Sequence, residues 1–256
     1  MIFDTHAHYD DESFDEDRSE LLGQMQENGI GRIVNIGADI KTSGITIALT
    51  EQYDFIYGAV GVHPNEVGEM KEEDIKQLEE WAGLDKIVAI GEIGLDYHYD
   101  EPQKDLQFRW FEAQMELARQ VGLPVVIHSR DAAKDTVDMM KGLHAGDVGG
   151  VVHCYSYTKE LAREFLDMGY YFGIGGVLTF PNAKKLKEAV EYIPIDKIVL
   201  ETDCPYLAPV PYRGKRNSSL YLHYVVETLA QIKGMTPEEI QDITFENGKR
   251  LYRMQA

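Results

Sequence analysis

The stretch PVVIH at residues 124–128 joins a short apolar run to a histidine, and GGVVH at residues 149–153 repeats the arrangement. Runs of Val and Ile without polar alternation are typical of strands buried on both faces of a parallel sheet. Eight such runs occur along the chain, at residues 1–5, 32–36, 55–62, 87–93, 124–128, 149–153, 171–174 and 198–202.

Longer amphipathic segments separate these runs, the clearest at residues 102–122. Eight strand–helix units predict a single (β/α)₈ TIM-type barrel over residues 1–256, since such barrels take about 250 residues. Two extra C-terminal helices are expected near residues 220–233 and 237–241, the second continuing towards residue 252 with a break near Asn247-Gly248. Length alone also permits two smaller domains.

The competing fold is an open doubly wound sheet. A dinucleotide-binding sheet of that kind carries a glycine fingerprint after its first strand. This chain has His6-Ala7-His8 at that position instead. The sequence therefore favours the closed barrel.

The chain is strongly acidic: 25 Lys and Arg against 44 Asp and Glu give a formal charge of −19. Such a chain repels polyanions at long range, which argues against broad, non-specific coating of nucleic acid. The sequence has no apolar run of membrane-spanning length, no leader-like N-terminus and only two cysteines. We therefore expect a reduced cytoplasmic protein, and infer neither a membrane association nor a protein partner.

His6 and His8 lie at the end of the first predicted strand. Alternation along a strand points both rings to the same side, where two imidazoles form a metal chelate. Four more strands end in a potential ligand, namely Glu92, His128, His153 and Asp203. All strand ends of a parallel barrel gather at one mouth. Six ligands exceed the needs of one tetrahedral ion, so the sequence predicts two divalent ions, of Mg, Mn or Zn.

Four residues are predicted to contact substrate: His63, Arg130, Arg213 and Arg216. His63 follows the third strand, and Arg130 lies two residues after His128. Arg213 and Arg216 lie in a short cationic loop after Asp203 and suit a small anionic footprint of a few nucleotides. The alternatives are a structural hydrogen bond for His63 and a solvated turn for residues 212–217.

The ligand-bearing segments are similar to those of a known family. The chain resembles the TatD-type metal-dependent deoxyribonucleases of the amidohydrolase-like superfamily. The motifs that carry the resemblance follow one another in order: DTHAH (4–8), GEIGLDY (91–97), IHSR (127–130), HC (153–154), ETDCPYLAP (201–209) and PYRGKRN (211–217).

This resemblance implies a TIM-type barrel that hydrolyses phosphodiesters with divalent metal, most directly at short or single-stranded DNA ends. It implies that His6 and His8 with Asp203 hold one ion. His128 and His153 would hold the other, with Glu92 bridging both.

Asp203 and Glu92 are the predicted catalytic residues. Asp203 is expected both to bind the first ion and to accept a proton from the attacking water. Two other functions stay open at this point. One is a hydrolase of another small ester or amide at the same metals, and the other is a metal-binding protein without turnover.

Overall fold

A computed structural model describes residues 1–254, so the last two residues of the predicted 1–256 domain lie outside the described part. Eight strands pair in parallel in sequence order, and a bridge between Ala7 and Cys204 brings the last strand back to the first. The predicted (β/α)₈ barrel is confirmed. The strands are β1 (Ile2–Ala7), β2 (Ile30–Ile36), β3 (Ile56–Val60), β4 (Ile87–Asp96), β5 (Val125–Arg130), β6 (Gly150–Val152), β7 (Tyr171–Ile174) and β8 (Ile198–Leu200).

Helices follow the strands and surround the barrel. The longest, at the segment predicted to be most clearly helical, ends where Gly122 adopts φ 73°, a left-handed cap that suits glycine. No helix within residues 1–254 is both long and apolar enough to cross a membrane. The helices are α1 (Arg18–Gly23), α2 (Ile40–Gln52), α3 (Glu72–Ala82), α4 (Lys104–Val121), α5 (Ala133–Gly142), α6 (Lys159–Asp167), α7 (Lys184–Tyr192), α8 (Leu222–Lys233) and α9 (Pro237–Leu251).

The expected break near Asn247 is wrong, because α9 runs unbroken from Pro237 to Leu251. The Asn247 amide donates hydrogen bonds to the carbonyls of Ile195 (2.8 Å) and Ile198 (2.6 Å). At Gly248 an added Cβ would meet the Phe3 ring at 2.5 Å. Both residues that suggested a turn therefore serve the close packing of α9 on the barrel.

The inside of the barrel is filled by a cluster of buried apolar side chains from seven of the eight strands, and the half-buried Tyr171 of β7 packs against it. Leu251 and Tyr252, at the end of α9, pack into the same cluster, and the Tyr252 hydroxyl donates to the Thr5 carbonyl at 2.7 Å. The C-terminal helix thus covers the end of the barrel opposite the strand C-termini. The open mouth is the end where the strands finish.

The seam between β8 and β1 is held by a few specific bonds rather than a long ladder. The Asp203 amide donates to His6 O at 2.9 Å, and the His8 amide donates to Cys204 O at 2.8 Å. The Thr202 hydroxyl donates to Asp4 Oδ2 at 2.6 Å. These bonds fix the segment that follows β8 beside the end of β1.

Candidate metal centre

The two histidines at the end of β1 face the same side, as alternation predicted. Their Nε2 atoms lie 3.0 Å apart. His8 Nδ1 lies 2.9 Å from the Ile36 carbonyl, which can only accept, so Nδ1 carries the proton. His8 Nε2 is thereby left with a lone pair for a metal when the ring is neutral.

Asp203 and Glu92 complete the first donor group. Asp203 Oδ1 lies 3.6 Å from His6 Nε2 and 3.4 Å from His8 Nε2. Glu92 Oε2 lies 3.4 Å and 3.8 Å from the same two nitrogens. Ligand atoms of a tetrahedral ion with bonds of about 2.1 Å are about 3.4 Å apart. The spacing of these four atoms therefore fits a divalent ion.

The second donor group gathers around the other oxygen of Glu92. His128 Nδ1 lies 2.6 Å and His153 Nε2 lies 2.7 Å from Glu92 Oε1. The two nitrogens are 3.3 Å apart. Glu92 thus offers one carboxylate oxygen to each group, which is the arrangement of a bridging ligand. The six residues predicted to bind metal are brought together at one mouth.

Asp96 belongs to the site but is absent from the predicted set. It lies at the end of β4, is buried, and its Oδ2 is 3.0 Å from His128 Nε2. The strand prediction stopped at Ile93, whereas β4 continues to Asp96. Residues 92 and 96 have the same parity along a strand, so a longer predicted strand would have placed both carboxylates on one side.

His63 lies against the second donor group. Its ring centroid is 4.2 Å from that of His128, and its Nε2 is 3.7 Å from Glu92 Oε1. Its Nδ1 accepts a hydrogen bond from the Asn65 amide at 3.1 Å. His63, Glu92 and His128 together could hold a metal ion. The predicted substrate contact at His63 stays a prediction, and the position suits a group bound at the ions.

Glu201 is a second buried carboxylate that the prediction did not include. Its Oε1 accepts a hydrogen bond from the Cys154 amide and lies 3.8 Å from His153 Nδ1. At Gly173 an added Cβ would meet Glu201 Oε2 at 1.9 Å, so only glycine leaves room for this carboxylate. Burial raises the pKa of Glu201 to about 8, despite the opposing charge of His153.

Without metal, the histidines divide into two classes. Burial opposes charge on all of them, but the hydrogen bond and charge of Asp203 outweigh it and raise the pKa of His8 to about 10. In the same way the charge of Glu92 raises the pKa of His153 to about 9. Burial, with a neighbouring imidazole, lowers the pKa of His6 to about 4 and that of His63 to about 3. The carboxylates thus hold two ligand histidines protonated at neutral pH.

The carboxylates themselves stay ionised. Burial alone would raise the pKa of Glu92, but the charges of His153 and His6 hold that pKa well below its usual range. Burial likewise opposes ionisation of Asp203, but the hydrogen bond with His8 and the nearby histidine charges lower its pKa. Both side chains are therefore available as anionic ligands.

The three predicted substrate arginines have different surroundings. Arg130 is exposed at the end of β5, and the Arg213 guanidinium lies 4.4 Å from the centre of the Phe180 ring. Arg216 is engaged by the N-terminal segment, donating to Asp17 Oδ1 at 2.8 Å and to Ser13 O at 2.6 Å. The charge of Arg216 is thus offset by Asp17, whereas Arg130 and Arg213 form no ion pair within residues 1–254.

A family model described as TatD related DNase matches residues 3–253 of the chain. In Bacillus subtilis, the uncharacterized metal-dependent hydrolase YabD is 47% identical over 254 residues, covering 99% of this chain and 100% of that protein. In Escherichia coli K12, the uncharacterized metal-dependent hydrolase YcfH is 33% identical over 259 residues, covering 100% of this chain and 97% of that protein.

A solved structure has the same architecture. The crystal structure of the TatD homologue YjjV from Escherichia coli K12 superposes with a TM-score of 0.93 at 29% identity. The likeness covers 99% of this chain and 98% of that one. With the family match spanning every candidate ligand described above, the chain belongs to the TatD related DNase family of metal-dependent hydrolases.

Proposed function

We propose that the protein is a two-metal phosphodiesterase that hydrolyses DNA at short or single-stranded ends. The observation that carries this proposal is the position of the Glu92 carboxylate, whose two oxygens face different groups of histidines. Its Oε2 faces His6 and His8, and its Oε1 lies 2.6 Å and 2.7 Å from nitrogens of His128 and His153. One carboxylate between two donor groups is suited to two ions about 3.5–4 Å apart, the spacing of two-metal phosphodiester hydrolases.

His6, His8, Asp203 and Glu92 would hold the first ion, and His128, His153 and Glu92 the second. Divalent ions bound there, of Mg, Mn or Zn, supply activation of a water and charge stabilisation for the leaving oxygen. Asp203 accepts the proton of the attacking water, since its lowered pKa keeps it ionised at neutral pH. Asp96 and Ile36 O hold the far nitrogens of His128 and His8, which fixes both rings for their ligand role.

The chain belongs to a family described as TatD related DNase, which supports DNA as the substrate class. The formal charge of −19 supports a small contact area on the DNA rather than a long bound duplex. The cations at the mouth are few and local. The proposed substrate is therefore a terminal or unpaired stretch of a few nucleotides.

The test begins with chelated protein that is reloaded with Mg, Mn or Zn. We expect about two ions per chain by elemental analysis, and metal-dependent cleavage of single-stranded oligonucleotides in preference to blunt duplex. Glu92→Ala should lose at least one ion and at least about a hundredfold in kcat. Glu188→Ala, an exposed glutamate on α7, is the matched control and should behave as wild type.

The other two functions predict different outcomes of the same experiment. Reloaded protein that cleaves small carboxylic esters or amides but no oligonucleotide would replace the proposal by hydrolysis of those bonds. Full metal loading without turnover of any substrate would leave a metal-binding protein. One ion per chain in active wild-type protein would contradict the two-metal arrangement.

A further inference from the structure

The loop at residues 204–218, called here the rim loop, exposes an unusual number of large apolar side chains. Eight such side chains are exposed in residues 1–254, and four of them lie in the rim loop: Tyr206, Leu207, Val210 and Tyr212. The loop begins directly after the ligand Asp203. A concentrated apolar surface beside a reactive centre marks a contact site for a ligand.

The rim loop is held in place by its own hydrogen bonds. The Asn217 side chain is buried and donates to the carbonyls of Thr202 at 2.9 Å and Tyr206 at 2.7 Å. The Tyr206 amide donates to Asp203 O at 2.8 Å. A ligand that binds here does not have to order the loop first, which lowers the entropic cost of binding.

Tyr206 is held by hydrogen bonds of its backbone amide and of its hydroxyl group, while more than half of the residue stays accessible to solvent. Its hydroxyl donates to Asp11 Oδ2 at 3.0 Å, and the residue is 54% exposed. The hydroxyl bond holds the edge of the ring and leaves a ring face for contact. A fixed, exposed aromatic face is suited to stacking with another flat ring.

A second aromatic group continues along the loop. The Tyr212 and Tyr221 rings stack with centroids 4.3 Å apart and an angle of 7° between the planes. Arg213, beside them, packs over Phe180 at 4.4 Å. Within the described residues, neither Arg213 nor Lys215 has a carboxylate within 4.0 Å. The rim loop thus presents the Tyr206 ring and the side of Tyr212 that Tyr221 does not cover, together with two cations that can meet phosphates.

Acidic residues limit how much attraction these cations can supply. Residues 10–12 are acidic and lie near Tyr206, and Asp17 already pairs with Arg216. Stacking on an aromatic ring does not depend on net charge, and it is sequence-tolerant because every base has a flat face. The chemistry of the rim loop therefore fits a nucleobase better than it fits a phosphate backbone alone.

We infer that Tyr206 and Tyr212 form a stacking surface for the unpaired bases next to the bond that is cleaved, with Arg213 and Lys215 on the adjoining phosphates. The inference rests on the proposed function and narrows its substrate class. Bases in a duplex are already stacked on their neighbours, so only unpaired bases can use these rings. Preference for single-stranded ends then follows from the rim loop rather than from the metal centre.

The test combines two changes, one in the protein and one in the substrate. Tyr206→Leu removes the ring, Tyr206→Phe keeps it, and Tyr192→Leu removes a similarly exposed tyrosine (48%) at the end of α7. Each variant is assayed with one oligonucleotide that ends either in a normal nucleotide or in an abasic residue. We expect Tyr206→Leu to raise KM for the normal end at least about fivefold, with little change in kcat.

The wild-type protein should show the same rise when its substrate ends in an abasic residue, and Tyr206→Leu should not distinguish the two substrates. Tyr206→Phe, which keeps the ring but loses the bond to Asp11, should raise KM for the normal end less than Tyr206→Leu does, and Tyr192→Leu should follow the wild type. An equal KM for Tyr206→Leu and wild type on the normal end would overturn the inference while leaving the proposed function intact. The inference would also be overturned if Tyr206→Leu raised KM by the same factor, relative to wild type, for the normal end and for the abasic end.

Binding is measured separately, through quenching of a terminal 2-aminopurine in the same oligonucleotide. Quenching by wild-type protein that is lost in Tyr206→Leu supports the stacking surface even if no strand is cleaved, in which case only the proposed function fails. Absence of both quenching and cleavage in the metal-loaded wild type overturns the inference and the proposed function together.

Discussion

The Nε2 atom of His128 lies 3.0 Å from Oδ2 of Asp96, on the edge of the imidazole that faces away from Glu92. Asp96 also accepts the His98 amide at 2.8 Å, so its carboxylate is fixed in position. Burial would raise the pKa of Asp96, but the hydrogen bond with His128 outweighs it and lowers this pKa to about 2. Asp96 would therefore act on the proposed second ion through the orientation and basicity of His128.

Asp96→Asn should weaken metal binding without removing a ligand. The neutral amide holds the ring less firmly, and loss of such a partner typically costs about 10–100-fold in metal affinity. Calorimetric titration of metal-free protein measures the effect directly. Asp131→Asn, which changes an exposed aspartate after β5, is the control and should bind as wild type does. Equal affinities for Asp96→Asn and wild type would show that His128 is oriented without Asp96.

Asp203→Asn should separate metal binding from proton transfer. The amide keeps the shape of the side chain and an oxygen ligand but cannot accept the proton of the attacking water. We expect kcat to fall at least about a hundredfold while the protein still binds metal when it is supplied in excess. Elemental analysis and single-turnover cleavage measure the two quantities. Near-normal turnover by the loaded variant would restrict Asp203 to the role of a ligand.

Metal binding should release protons at neutral pH. Burial disfavours protonated His8 and His153, but Asp203 and Glu92 outweigh it and raise the pKa of these imidazoles to about 10 and about 9. A metal needs the neutral nitrogen, so about two protons leave on binding near pH 7, and the apparent affinity rises with pH. Calorimetry in buffers of different ionisation enthalpy counts these protons. Heats that do not depend on the buffer would contradict the expectation.

The raised pKa values of His8 and His153 also make the stability of the metal-free protein depend on pH. Both folded pKa values lie above the unfolded value of about 6.5. Their contribution to stability is therefore complete below about pH 6.5 and is lost as the pH rises through 9 and 10. The Tm of metal-free protein should fall between pH 8 and pH 10. In protein saturated with metal the two histidines are already deprotonated, so its Tm should not show this fall.

Arg213→Ala and Arg216→Ala should differ, although both residues were predicted to contact substrate. Arg213 has no carboxylate partner in residues 1–254, so its loss should weaken binding of a short single strand and flatten the salt dependence. Arg216 is paired with Asp17, so its loss should mainly loosen the rim loop, by about 0–1 kcal/mol in the free energy of unfolding. Fluorescence anisotropy at several salt concentrations compares them, with metal content as the control. Identical salt slopes for Arg213→Ala and wild type would exclude a phosphate contact there.

The barrel, and the gathering of the six candidate ligands at one mouth, could be predicted because each depends on a local pattern. A run such as Val125–Ile127 identifies a buried strand, and the polar residue after it lies at the mouth of any parallel barrel. The parity of His6 and His8 follows from the geometry of one strand. None of these steps needs the position of a distant residue.

The buried carboxylates that contact the candidate ligands, Asp96 and Glu201, could not be found in the same way. Asp96 depends on how far β4 continues, and Glu201 depends on a gap left by Gly173 on the neighbouring strand. The pairing of Arg216 with Asp17 joins segments 199 residues apart, and only the closed barrel brings them together. Gly248 predicts a helix break when it is considered locally, because its packing partner, Phe3, is distant in the sequence.

The seam between β8 and β1 has a consequence for how the protein is made. His6 and His8 are synthesised long before Asp203 and Cys204, so the bond from the His8 amide to Cys204 O has to await the segment that follows β8. Until that strand emerges, the nascent chain carries β1 as an open sheet edge, a feature that favours contact with other chains. The residues proposed to hold the first ion, His6, His8 and Asp203, lie on both sides of this edge. Loading of that ion and closure of the barrel would therefore be one event, completed only after β8 and Asp203 have been synthesised.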